Sequence, residues 1–177
     1  MGDTPPLLTL VRAGGRPCFA GCSGFVVMIT LLNGVRFEVR KYMDIPFLAH
    51  GRDRRGFDCW GLNCLVYKEK MDIILPSFAG AADNITSPQE VGPLFESGRS
   101  DLWVRVDDKA LPGDVIGWRA GRLIYHVGLY LGGKSFFHIQ KDTEAIVSEI
   151  GSILWPVGRM AGIYRHKEFI ENPNLLR

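Results

Sequence analysis

Cysteine is scarce, at four in 177 residues. That excludes a small disulfide-stapled scaffold, because such folds are cysteine-dense. Charge of one sign is also lacking. Lys and Arg number 21 against 19 Asp and Glu, a net charge of +2, and so even a balance gives no electrostatic footprint for nucleic acid. There is no internal repeat, and no low-complexity segment beyond the Gly/Pro-rich residues 1–16. No apolar run reaches the length of about 20 residues that a membrane span takes. The uncharged stretch between Arg16 and Arg36 is broken by Pro17, Gly21, Ser23, Gly24, Thr30, Asn33 and Gly34. Residues 1–16 carry Asp3, Pro5-Pro6 and Gly14-Gly15 where a signal peptide has a basic start and an apolar middle, so secretion is not expected. Phe19-Ala20-Gly21-Cys22 has the outline of a lipoprotein cleavage box, but here the apolar stretch follows the cysteine instead of preceding it. What is present is ordinary: 46% hydrophobic and 23% charged residues. Disordered, collagen-like and coiled-coil chains are excluded on that composition. The length suits one domain able to bury a core without staples. Residues 1–27 read as a loose extension, with Met28 a plausible alternative start, and 28–177 as a single domain.

Along the chain, Val35, Val39 and Met43 recur at helical spacing, while Val35, Phe37 and Val39 also alternate as in a strand. His50 to Gly56 is a charged loop. Asp58 is an N-cap candidate, and the helix it opens runs from Cys59 to Lys70 with Leu62, Leu65 and Val66 on one stripe. Residues 71–86 read as loop. Ser87-Pro88-Gln89-Glu90 is a capping box with Pro at the first helical position, and its helix should stop at Gly98. From Leu102 onward the pattern turns to strands: Leu102 to Val106, Val115 to Trp118, Arg122 to Leu131 and Ser135 to Gln140, with weaker candidates at Ala145 to Val147 and Gly162 to Tyr164. Helices first and antiparallel strands second predict an α+β domain.

Cys59 carries the chemistry. It follows a cap and opens a helix, where the dipole and unpaired amides favour a thiolate below the free value of about 8.5. The same amides suit an oxyanion formed next to the sulfur. Gly61 is expected to keep the neighbourhood open. A cysteine nucleophile needs a base and an orienting group, and His126 and His138 on the later strands are the candidates. Cys59, Cys64, His126 and His138 are also a Cys₂His₂ set in kind. However, Cys59 and Cys64 are five residues apart, about 140° around a helix, and structural zinc prefers closer spacings on a turn. No metal or cofactor is expected. Cys64 is then core, and Cys18 and Cys22 are incidental.

Together these residues form a pattern. Gly56-Phe57-Asp58-Cys59-Trp60-Gly61-Leu62 resembles the nucleophile motif of the NlpC-type cell-wall peptidases. Leu111-Pro112-Gly113-Asp114-Val115-Ile116 is similar to the turn and strand that follow it. His126-Val127-Gly128-Leu129-Tyr130-Leu131-Gly132 is similar to the strand of the base, and Phe137-His138 to the third, polar member. The resemblance covers roughly residues 40–165. Pro46-Phe47, His50-Gly51-Arg52-Asp53 and the Trp after the Cys are similar to the phage and prophage tail branch. The resemblance implies a papain-like fold, with N-terminal helices packed on an antiparallel sheet. It also implies hydrolysis of amide bonds in murein peptides, usually between D-glutamate and diaminopimelate. It makes Cys59 the nucleophile, His126 the base and His138 the group that orients it, with the Cys59 amide in the oxyanion hole. Asp58, Trp60, Arg52 and Phe47 are then the residues around the substrate. Phe47 departs from the family's usual Tyr, so a hydroxyl near the nucleophile is lost or supplied elsewhere.

The expected partners are a murein peptide and other tail proteins, with no nucleic acid and no membrane span. The expected location is the host cytoplasm during assembly and then the virion tail, or the bacterial cytoplasm for a prophage gene. A non-catalytic tail-tip component on the same fold is the alternative. An acyltransferase or lipid-acting enzyme on a related papain-like fold is a third reading, but the order Cys then His fits the peptidase better. Arg52, Arg54 and Arg55 suit carboxylate recognition, although such clusters are more often plain solvated surface. At least two of Trp60, Trp103, Trp118 and Trp155 are expected in the core, and His50 and His166 at the surface.

Overall fold

The computed structural model describes residues 9–12, 25–84 and 87–177. Strands β1 (Thr9–Arg12), β2 (Phe25–Thr30) and β3 (Arg36–Glu38) form a small antiparallel sheet in that order. The rest of 1–27, including Cys18, Cys22 and the segment 19–22, lies outside the described residues. The double periodicity after Val35 is resolved by both outcomes in turn: β3 is followed at once by a 3₁₀ turn, Val39–Tyr42, that buries Val39 and Tyr42. The charged loop folds as a two-residue hairpin of β4 (Arg52–Asp53) and β5 (Gly56–Phe57). Helix α1 (Cys59–Val66) follows directly.

The expected helix to Lys70 has a different last turn. Residues Tyr67–Met71 widen into a π-helical turn, and Asp72 ends it in the left-handed region (φ 56°). Tertiary hydrogen bonds hold the widened turn: Tyr67 Oη donates to the Gly113 carbonyl at 2.8 Å, and Asn33 Nδ2 to the Lys70 carbonyl at 2.8 Å. Helix α2 (Pro88–Leu102) runs past Gly98, with Pro93 inside it. It lies against the main sheet, and contact of this kind overrides weak local propensity. Gly92 permits the approach, since a Cβ there would stand 2.9 Å from the Leu123 Cβ. Glu90 caps a neighbouring amide, accepting from the Asn84 N–H at 2.8 Å.

The main sheet holds β6 (Trp103–Arg105), β7 (Val115–Ala120), β8 (Leu123–Gly132), β9 (Ser135–His138), β10 (Ile146–Glu149) and β11 (Met160–His166), in the order β10-β9-β8-β7-β11-β6. Every strand pair in it is antiparallel. A short helix α3 (Lys167–Glu171), absent from the sequence reading, is capped by His166, whose Nδ1 accepts from the Glu168 N–H at 3.3 Å. His166 is therefore buried, packed on Trp103 with ring centroids 5.2 Å apart. The sheet separates two apolar clusters. On one side Val115, Val127, Leu129 and Phe137 meet Leu62, Val66 and Tyr67 of the helical layer and Phe37 of the small sheet. On the other, Ile116, Trp118, Phe136, Trp155 and Ile163 pack together. The α+β architecture agrees with the sequence reading, except that the short strands β1–β5 precede the helices. Among the described residues, no helix is long and apolar enough to cross a membrane.

Candidate active site

Cys59 is the first residue of α1. Asp58 precedes it in extended backbone (φ −85°, ψ 179°), and its Oδ1 accepts from the Gly61 N–H at 2.6 Å. The cap is itself held: Arg52 Nη1 donates to Asp58 Oδ2 at 2.8 Å and to the Gly51 carbonyl at 2.6 Å. The same guanidinium donates through Nε and Nη2 to the Ser77 carbonyl, at 3.0 and 2.6 Å. Arg52 is thus committed to the cap and to the loop after α1, and its geometry is that of a brace more than of a free carboxylate receptor. Arg54 and Arg55 make exposed pairs with Glu69 and Asp53. Gly61 differs from expectation. It does not open the site: a Cβ there would lie 2.4 Å from the Gly51 carbonyl and 2.7 Å from Arg52 Nη1, so glycine is what allows the β4–β5 hairpin to close on α1.

The thiol also departs from the sequence reading. Burial, and then the Asp58 carboxylate, push Cys59 up to about 12, outweighing the backbone N–H groups of Val127 and Trp60 that stabilise the sulfur's anion. A helix N-terminus lowers a thiol only while its desolvation cost is smaller than the gain. The contact with Val127 matters for assembly. β9 ends at His138, and beyond that end the free edge of β8 turns the Val127 amide toward the Cys59 sulfur. The sulfur thus lies near the backbone of β8, at the residue that follows His126 in sequence.

The two histidines meet on one side of the sheet, with His126 Nε2 and His138 Nδ1 3.0 Å apart. Side chains alternate along a strand, so this meeting depends on register. A bare two-residue Gly-Gly loop would have put the imidazoles on opposite faces. The three-residue loop Gly132-Gly133-Lys134, with Leu131 opposite Ser135, is the sequence-based expectation. The structure reaches the same phase by another route. Leu129 pairs with Phe137 and Tyr130 with Phe136, as expected, but Gly132 pairs with Ser135, leaving Leu131 as a bulge. Gly132 (φ 98°) and Gly133 (φ 58°) supply the positive φ that the tight return needs. A second irregularity, between Trp118 and Arg119 of β7, falls beside His126.

His138 Nε2 continues the chain to Ser148 Oγ on β10, at 2.8 Å. Ser148 is a site residue the sequence reading missed, since no motif marks it; only the pairing of Ile146 with His138 brings it there. Aromatic rings wall the pair. Phe136 stacks on His138 at 4.5 Å, and Trp155 lies 4.9 Å from His126 and 4.8 Å from His138. Burial holds His126 down at about 3 and His138 at about 2. Their unfolded value is about 6.5. Below that pH the unfolded chain takes up protons that the folded chain refuses. The stability both groups give is therefore full above pH 6.5 and is lost as the pH falls toward 3. Thermal melts between pH 7 and 4 should show a falling midpoint, with a shallower slope in H138Q. Equal slopes in the two proteins would show that His138 is not buried neutral.

Trp60 places its indole in a cluster with Phe78, Phe95 and Trp103, and its Nε1 donates to the Pro76 carbonyl at 2.7 Å. Trp60, Trp118 and Trp155 are all buried. Phe47 is half-buried against the main core. Its amide donates to the Thr143 carbonyl at 3.0 Å and its backbone bridges Phe57. Cys64 is half-buried, with its sulfur 3.9 Å from the Pro76 carbonyl. A cavity of about 40 Å³ opens beside Cys59, with Asp58, Arg52, Tyr125, Phe78 and the α2 residues Val91, Leu94 and Phe95 among its walls. Among the described residues, no cluster of three or more His, Cys, Asp or Glu is placed to hold a metal ion.

A helix that presents cysteine at its N-terminus, packed on an antiparallel sheet that carries paired imidazoles, is the papain-like arrangement. The model of the NlpC/P60 family matches residues 44–158, and the chain belongs to that family. It is 29% identical over 118 residues to Protein P54 of Enterococcus faecium, a match that covers 67% of this chain and 19% of that protein. It is 28% identical over 118 residues to the Murein DD-endopeptidase MepS/Murein LD-carboxypeptidase of Escherichia coli (strain K12), covering 67% of this chain and 54% of that one. The chain thus spans only part of the length of these relatives. The crystal structure of an NlpC/P60 family protein from Bacillus cereus ATCC 10987 superposes with a TM-score of 0.54 over 73% of this chain and 38% of that one, at 22% identity, and shares the fold.

Proposed function

We propose that this chain is a cysteine peptidase that hydrolyses amide bonds of murein peptides, the D-glutamyl–diaminopimelate bond among them, as part of a phage or prophage tail. The observation that carries the chemistry is the hydrogen-bonded run His126–His138–Ser148, set beside a strand amide that faces the Cys59 sulfur. Membership of the NlpC/P60 family and the activity in the name of the Escherichia coli relative support the substrate class. The tail setting rests on the resemblance of Pro46-Phe47 and His50-Gly51-Arg52-Asp53 to that branch. It implies host cytoplasm first and the assembled particle afterwards.

In this reading His126 Nδ1 takes the thiol proton as Cys59 Sγ attacks the amide carbonyl. The oxyanion is met by the Cys59 N–H, one of the first-turn amides that a helix leaves unpaired. The imidazolium returns its proton to the leaving amine as the C–N bond breaks, and a thioester remains. Water, deprotonated by His126, then cleaves the thioester and restores the thiol. With Cys59 pushed up and His126 pushed down by burial, the resting pair is thiol and neutral imidazole, and substrate binding draws the proton across. The test is incubation with purified murein peptides, with and without prior thiol alkylation. Fragments released only by the unalkylated protein are expected; identical release from both would sink the thiol mechanism. Mass spectrometry of purified particles decides the tail setting, and absence of the chain from them would end it.

A further inference from the structure

We propose that Trp155 is a positioning residue of this site, whose indole closes the His126–His138 hydrogen bond from water and fixes the planes of both rings. The loop between β10 and β11 is otherwise turned outward: Ile153 is 97% exposed, Leu154 72% and Val157 60%, while Trp155 is 5% exposed. The loop leaves these aliphatic side chains in water, although burying them would also be favourable. It instead commits one large side chain inward, and that side chain goes to the histidines. A tight local turn aims it. The Trp155 N–H donates to the Ser152 carbonyl at 3.1 Å, and the Gly151 N–H to the Trp155 carbonyl at 2.8 Å, with Gly151 at φ 95°.

The contacts define what the indole does. It lies over His126 at 30° between planes and meets His138 edge-on at 77°. Phe136 covers another face of His138 at 19°. Trp118 and Phe136 back the indole at 5.0 and 5.2 Å. For His126 to act as a base toward Cys59, its Nδ1 must carry the lone pair. Its Nε2–H then donates to His138 Nδ1, and the His138 Nε2–H donates to Ser148 Oγ, at the distances observed. Rotation of either ring about χ2 reverses one link and breaks this single direction. Water competing for either ring nitrogen does the same, and a dry surround strengthens each bond in the chain. Trp155 touches both imidazoles, so it acts on the orientation of the base.

The inference rests on His126 being the base, and the experiment separates it from the choice of substrate. In the full chain with ¹⁵N-labelled histidine, the ring N–H protons of His126 and His138 should exchange slowly enough with water to be seen. W155A should lose those signals while far-UV circular dichroism stays unchanged, and W155F should keep them. On murein peptides, W155A should lose about 10²-fold in kcat with KM unchanged, and W155F should recover most of it. If W155A does not fold, W155L, which keeps apolar volume without the flat face, is measured in its place with the same expectations. Ring N–H signals that persist in the variant, with kcat near normal and only a lower melting temperature, would make Trp155 a packing residue and overturn the proposal. A protein inactive on murein peptides whose ring signals still vanish in W155A would sink the substrate assignment and uphold the positioning role.

Discussion

C59A is expected to abolish hydrolysis of murein peptides, by about 10⁴-fold or more, while the fold persists. The side chain is half-buried at the edge of the core, so its truncation costs little stability. H126A should lose about as much, and the C59A/H126A double variant hardly more than either alone, because members of one catalytic unit are strongly non-additive. C64A is the control. It removes the other described free thiol, only five residues further along and also half-buried, and should keep its activity. Steady-state rates on purified murein peptides decide the matter: near-normal turnover by C59A, or a large loss in C64A alone, would assign the chemistry to the wrong sulfur.

G128A should also cost activity, though less than C59A, and it does so although Gly128 contributes no chemistry. A Cβ at this position would stand 2.8 Å from the Phe137 carbonyl oxygen, 2.9 Å from Phe136 Cδ2 and 3.0 Å from the His138 Cβ. The nearest of these is backbone, so it has no rotamer to retreat into, and β8 and β9 must separate. Overpacking of this kind costs about 1–3 kcal/mol. More telling is the direction of the displacement, because His138 moves with its strand and the 3.0 Å bond to His126 opens. Misplacing an orienting group by about 1 Å can cost about 10²-fold in rate. The expected result is a folded protein with a lowered melting temperature and kcat down about 10²-fold. A G128A variant with full activity would mean that His138 does not set the orientation of the base.

The local motifs were legible because their physics is local. Asp58 as a cap needs only a short side chain one residue before the helix and an amide three residues on, and the bond to the Gly61 N–H is there at 2.6 Å. The alternation of β7, β8 and β9 announced itself as strands, and counting across Gly132-Gly133 showed that one extra residue is needed for His126 and His138 to share a face; the structure supplies it as the bulge at Leu131. Where the sequence reading failed, a distant partner had intervened. Gly61 looked like open space and is instead the floor under the Gly51 carbonyl and Arg52. Arg52 was expected either as a carboxylate ligand or as plain surface, and its guanidinium is tied to Asp58 and Ser77. His166 looked like surface and caps α3 against Trp103. The thiol looked acidic from its helix position, and burial reversed the sign.

By itself the sequence determined the class of the fold, the order of helices and main-sheet strands, the nucleophile candidate at a capped helix start and the two histidines on adjacent strands. All of these follow from periodicity, turn chemistry and the spacing of residues within one or two elements. Only the tertiary structure decided that Ser148 ends the hydrogen-bonded run, that Trp155 lies over it, and that a bulge at Leu131 rather than a longer loop sets the phase. Ser148 is ten residues and Trp155 seventeen residues beyond His138, with no fixed local geometry linking them. Their place is set by the pairing of β10 with β9 and by the way the following loop returns over the sheet. The protonation states belong to the same level. A dipole is a property of one helix, but desolvation is the sum of everything packed around a group, and here that sum is the larger.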